Sequence, residues 1–207
     1  MHPKRIGSLS KIGCVLDLPF RYLDGDSFMD RSVFGHLCTN YGSKWQLDGR
    51  YFDGANYYVD AGSASSLKLA GDFTIEAGVK FAPASMGIHK TIVDYYYTRG
   101  YCLHKADTNQ VKVYRAATGL IGTRVLVADV SYRITASMDA GKSTGYIYID
   151  GLFDKSGTLD VTPDFPGGSL LIGKRHDGYH LQGLIPKVCI YSFADYVPRI
   201  LSRSIGG

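Results

Sequence analysis

The chemistry open to this chain is set by its acids, histidines and cysteines and by how they are spaced. It carries 19 acidic residues, of which Glu76 is the single glutamate and the rest are aspartates. Retaining glycoside hydrolysis needs two carboxyl groups about 5 Å apart, one as nucleophile and one as acid and base. Glu76 is followed at i+2 by Gly78 and at i+4 by Lys80, so no second carboxyl shares its strand face. Most aspartates fall at turns, where their short side chains suit the backbone geometry. No catalytic residue is expected, and the chain is not expected to be an enzyme.

The remaining polar clusters are read the same way. His176-Asp177-Gly178-Tyr179-His180 has the content of a metal site, but no third ligand is nearby and it reads as a solvated loop. His89 and His104 stand singly at strand edges and read as surface. No Gly-x-Ser-x-Gly elbow marks a nucleophilic serine. Asp24, Asp26 and Asp30 in DGDSFMD place three carboxylates within reach of a calcium ion, yet the order and the closing glutamate of an EF-hand loop are missing, and a turn is expected. Cys14, Cys38, Cys102 and Cys189 have no Cys-x-x-Cys spacing, which leaves reduced, buried thiols. No metal or cofactor is predicted.

Aromatic residues are the candidates for binding. Sixteen tyrosines and one tryptophan exceed what a core of this size needs. The triplet Tyr95-Tyr96-Tyr97 must send rings to both faces of its strand. With Trp45 and Tyr179 these residues form the expected binding set, because stiff amphipathic rings stack on sugars and pack against proteins equally well.

These side chains must be held by strands. In AGDFTIEAGVKF, residues 70–81, Phe73, Ile75, Ala77, Val79 and Phe81 alternate with Thr74, Glu76, Gly78 and Lys80, the period of a strand with one buried and one wetted face. The same alternation in 131–139 buries Ile134, Ala136 and Met138. Further strands are predicted near 14–20, 56–61, 90–97, 101–105, 110–115, 123–128, 144–150, 169–173 and 183–193. Asp150-Gly151 favours a two-residue hairpin that folds Leu152–Lys155 back onto the strand ending at Ile149. In ADYVPRILSR, Asp195 is a plausible N-cap and Pro198 falls in the first turn, so one short C-terminal helix is expected. With 207 residues, 45% of them hydrophobic, and 25 glycines, the chain reads as one all-β domain over residues 13–207, preceded by a short basic arm at 1–12.

Composition excludes several classes. A net charge of +4 without any run of Lys and Arg argues against a nucleic-acid stripe. No apolar span approaches the ~20 residues of a membrane helix. The N-terminus does not read as a secretory signal, so a cytoplasmic or virion location is expected.

Taken in order, RYFDGANYYVDAG (50–62), LKLAGDFTIEAGVKF (67–81), GYIYIDGLF (145–153) and SLLIGKRHDGYHLQGLIPKVCIYSFA (169–194) resemble the laminin-G-like, concanavalin A-like jelly-roll family. DRSVFGHLCTNYGSKW (30–45) is similar to that family's Asp-x-Ser-x-x-Gly loop after the first strand. The resemblance implies a two-sheet antiparallel β-sandwich whose closing strand lies beside the N-terminal one. Pro186 and Lys187 stand where the family carries an acidic side chain that can serve a structural calcium ion, so calcium is not expected there. The basic arm, the tyrosine-rich surface, the absent export signal and the absent catalytic pair point to a non-catalytic structural or assembly protein, such as a capsid, tail or decoration component acting through protein–protein contacts. The alternative, which the fold implies by analogy, is a carbohydrate-binding module on a cell or virion surface.

Overall fold

The structure is a computed structural model and describes residues 12–160 and 162–194. The predicted C-terminal helix and all but the last residue of the basic arm lie outside that range. Among the described residues the chain forms sixteen strands in two eight-stranded sheets, and every pairing between these strands is antiparallel.

The first sheet runs β14 (Leu152–Thr158), β13 (Thr144–Ile149), β12 (Ser131–Asp139), β7 (Phe73–Phe81), β16 (Gln182–Tyr191), β5 (Gly49–Asp53) and β4 (Lys44–Gln46), with β1 (Cys14–Leu18) also paired to β16. The second runs β11 (Thr118–Val125), β10 (Gln110–Arg115), β9 (Tyr101–Lys105), β8 (Lys90–Tyr95), β15 (Leu171–Ile172), β6 (Tyr58–Asp60), β3 (Leu37–Tyr41) and β2 (Ser27–Met29). None of the described helices is long and apolar enough to cross a membrane.

The core sits between the sheets, where alternation placed it. Phe73, Ile75, Ala77, Val79 and Phe81 are all buried, facing Val93, Tyr101, Leu103, Val111 and Val113 of the other sheet. Each large apolar side chain so buried contributes on the order of 1.5–3 kcal/mol. The hairpin at Asp150-Gly151 forms as expected, with Ile149 opposite Leu152 and both turn residues at positive φ. The closing strand β16 does lie beside β1. Pro186 sits within it where the register against β7 shifts between Leu184 and Lys187, so the missing N–H falls at a bulge. Gly78 makes room for the ring, since a Cβ there would stand 2.7 Å from Pro186 Cγ.

Three expectations need correction. The strand predicted at 123–128 occupies Thr118–Val125, because Ala116 takes a positive φ and turns the chain back onto β10 earlier than the apolar run indicated. Four short strands, β2 to β5, lie between residues 20 and 56, where no strand was predicted. They hold only three to five residues each, too few for an alternation to show. The outer face of β7 and β12 is not wetted throughout. Thr74, Thr135 and Ser137 are buried, and the Thr74 hydroxyl donates to Phe193 O at 2.8 Å as the chain leaves β16 across that face.

Candidate ligand-binding face

The outer face of the second sheet collects the polar and aromatic side chains. Along β8, β9 and β10 the register sets Asp94 opposite Cys102, Thr91 opposite His104, and both Cys102 and His104 beside the β10 positions Tyr114 and Lys112. Their strand neighbours Val93, Leu103 and Val113 point the other way, into the core.

The loop from Gly173 to Leu181 folds over this face, and Asp94 anchors it. Buried at the end of β8, Asp94 accepts hydrogen bonds from the Tyr97 N–H (2.7 Å), the His176 N–H (3.0 Å) and His176 Nδ1 (2.6 Å). A buried carboxylate with that many donors is a strong local clamp. Arg175 then lies between two rings, its guanidinium carbon 3.8 Å from the Tyr97 centroid and 4.0 Å from that of Tyr179. Asp177 accepts from Arg175 Nε (2.5 Å) and Nη2 (2.8 Å) in a two-point contact. Such sandwiching is worth about 1–2 kcal/mol per ring when desolvated.

Around this post stand further aromatics. Tyr97 meets Tyr114 at 4.5 Å, Tyr114 meets His104 at 5.5 Å, and Tyr179 meets His89 edge-on at 5.5 Å. Lys112 Nζ rests 4.6 Å above Tyr114, and Lys174 Nζ 4.3 Å above Tyr58, whose ring stacks on Tyr41. Burial and the hydrogen bond with Tyr114 raise the Tyr97 hydroxyl well above its usual pKa.

His104 is almost wholly buried here, which corrects its reading as a surface residue. Loop 173–181 and the rings of Tyr97 and Tyr114 cover it, and a single sequence cannot show that cover. Burial, with the charge of Arg175 beside it, lowers its pKa to about 3, so the ring is neutral. Its Nε2 has no hydrogen-bond partner among the described residues. The same holds for His89 Nδ1, Thr91 Oγ1 and His180 Nδ1 on this side of the molecule. All four atoms are buried, beneath the surface of this face.

Of the predicted binding residues, the fold brings together Tyr96, Tyr97 and Tyr179. Tyr96 leaves β8 at positive φ and packs its ring 5.1 Å from His176. Tyr95 does not belong with them. It is fully buried between the sheets against Tyr101 and Phe165, because its place in β8 points inward. Trp45 lies on the edge strand of the other sheet, where its indole N–H donates to Arg21 O at 2.9 Å. The residues that sequence reasoning missed are Asp94, His104, Tyr114 and Arg175. The alternation of Lys112 and Tyr114 with Val111 and Val113 was the one signal for any of them.

The other sequence candidates stay apart. Glu76 has Thr135 and Cys189 as cross-strand partners, neither a carboxyl. The three aspartates of 24–30 do not converge: Asp24 faces Arg31 at 3.7 Å, Asp26 accepts from Asn40, and Asp30 turns to His36. All four cysteines are unpaired and buried.

Comparison with known proteins agrees with this architecture. A family model described as the concanavalin A-like lectin/glucanases superfamily matches residues 53–195. No curated protein matches the sequence. The fold is similar to a botulinum neurotoxin type C structure described by its cell entry through two ganglioside molecules (TM-score 0.72, 12% identity), covering 95% of this chain and 52% of that one. It is similar to the binding domain of botulinum neurotoxin DC in complex with rat synaptotagmin II (TM-score 0.70, 12% identity; 94% and 52% covered). It is also similar to the binding domain of Paraclostridial Mosquitocidal Protein 1 (TM-score 0.70, 14% identity; 93% and 52% covered). The chain thus spans about half the length of the solved structures it matches.

Proposed function

This chain belongs to the concanavalin A-like lectin/glucanase superfamily, and from that premise we propose that it is a binding module whose ligand is a glycan held on the outer face of the second sheet. The observation that carries this reading is the set of tyrosines around Arg175, fixed to the sheet by Asp94. Rings offer stacking area to a sugar, and the exposed Asp177 carboxylate beside them can accept from its hydroxyls. Asp94, the buried carboxylate of this face, accepts from three donors and in this reading holds the covering loop in place. The similar structures described with gangliosides, with a sialylated ligand and with synaptotagmin support a recognition role.

A glycan array probed with the folded chain tests this directly. Calorimetric titration of the retained sugars should then show affinity falling about tenfold in Tyr114→Ala and in Tyr179→Ala, roughly 1.4 kcal/mol each. Trp45→Ala should leave the titration unchanged. Retention of no glycan, or loss of affinity in Trp45→Ala alone, would sink the assignment.

A second reading, a structural protein of a virion that contacts its neighbours, is supported by the exposed cross-strand pair Met29 and Leu37. Light scattering on the eluting species would show a closed oligomer under that reading, and a discrete monomer under the first.

A further inference from the structure

At a place separate from that face, the segment after β1 and the 3-10 turn Ser65–Leu67 bring an aspartate, a histidine and a serine into one hydrogen-bonded line. His36 Nδ1 lies 2.8 Å from Asp30 Oδ2, and His36 Nε2 lies 2.7 Å from Ser66 Oγ. We propose that Asp30, His36 and Ser66 form an acyl-transfer centre in which Ser66 is the nucleophile, acting on esters with a short apolar acyl group.

Nucleophile, base and orienting group all meet at hydrogen-bond distance, and such centres are recognised by that geometry and not by position in the chain. Asp30 is fixed from several sides. It accepts from the N–H groups of Asp17 (3.2 Å) and Ser32 (2.7 Å), and from the His36 N–H as well as its ring. Burial pushes its pKa up, but the Ser32 and backbone hydrogen bonds outweigh this and hold it below the ordinary aspartate value. The carboxylate therefore stays ionised and accepts the hydrogen bond from the imidazole Nδ1–H, which leaves Nε2 as the acceptor facing Ser66 Oγ. Phe34 lies nearly parallel to the imidazole, 5.7 Å away at 20°, and limits its tilt.

The site is open on the serine side. Ser66 is only partly buried, and Ser63, Ala64 and Ser65 before it are exposed. Phe34, exposed and stacked on His36, supplies the apolar rim that selects the acyl group. In the first half-reaction Ser66 Oγ bonds to the acyl carbon while its proton passes to His36 Nε2. The ester C–O bond then breaks, and that proton goes to the departing alkoxide. In the second, water bonds to the acyl carbon and gives its proton to Nε2. The bond to Ser66 Oγ breaks, and the proton returns to it. Water is the only co-reactant.

The test is labelling of the intact chain by an alkyl fluorophosphonate, with the modified residue located by mass spectrometry. Ser66 should label at least about a hundredfold faster than Ser63 or Ser65, within the range expected of a positioned base. His36→Gln should remove that advantage while the melting temperature shows the fold retained, and Phe34→Ala should shift the preferred alkyl length. Heat-unfolded wild-type chain serves as the reference should Ser66→Ala fail to fold. Labelling of Ser66 no faster than its neighbours, or no faster than in the unfolded chain, would reduce the three residues to a tie between two loops. The glycan reading would stand in either case.

Discussion

Acidification from pH 6.5 to pH 4.5 is expected to remove about 2–3 kcal/mol of stability through His104 alone. The ring is buried and neutral in the fold, with its pKa lowered to about 3, whereas an unfolded histidine titrates near 6.5. Between these values the unfolded chain binds the proton that the folded chain refuses, so stability rises with pH and falls on acidification, by about 1.4 kcal/mol per pH unit. The charged and titratable neighbours all push the same way: Arg175 from the covering loop, His89 from the segment before β8, Lys112 from β10 and Lys105 from β9 itself. Carboxylates such as Asp30 and Asp53, whose pKa values are lowered in the fold, lose their contribution only below this window, while His180, whose pKa burial also lowers, adds to the slope with the same sign. Urea denaturation at half-unit pH steps should give at least this slope in the wild type, and His104→Gln should reduce it to the share of His180. An unchanged slope in the variant would place the proton uptake elsewhere.

Gly183→Ala should be severely destabilising, at more than about 4 kcal/mol. Gly183 sits in β16 between Phe52 of β5 and Phe81 of β7, at a φ of +146°. A Cβ there would stand 2.1 Å from Lys80 O, a backbone atom that moves only if the central pairing of the first sheet opens. Gly87→Ala is the control, since it has a positive φ of 72° but open space around it, and should cost about 1–2 kcal/mol. Chemical denaturation of both variants separates clash from backbone strain. A Gly183→Ala chain within 1 kcal/mol of Gly87→Ala would mean that the sheet yields there more easily than its geometry implies.

Most of the fold was legible because it depends on period-two burial. The inward residues of β7 and β12, the Asp150-Gly151 hairpin and the pairing of β1 with β16 follow from alternation, turn chemistry and family resemblance. The site was legible only in part. Tyr97 and Tyr179 were identified as aromatics with binding potential, but Tyr95 was placed with them although its neighbouring position in the strand turns it into the core. His104 read as surface because nothing in YCLHK announces a loop some seventy residues later that covers it. Ser66 escaped for a related reason. No glycine-flanked elbow surrounds it, and the histidine that meets it lies thirty positions upstream.

The sequence by itself determined the two-sheet antiparallel sandwich and its dry interior, since local alternation and turn residues act over a few positions and survive any arrangement of the loops. It also determined that no carboxylate pair lies along the strand of the single glutamate. Only the tertiary structure decided which side chains meet. Asp94 reaches His176 across 82 positions and His36 meets both Asp30 and Ser66 around two turns, because these contacts are set by the register of distant strands and the path of connecting loops.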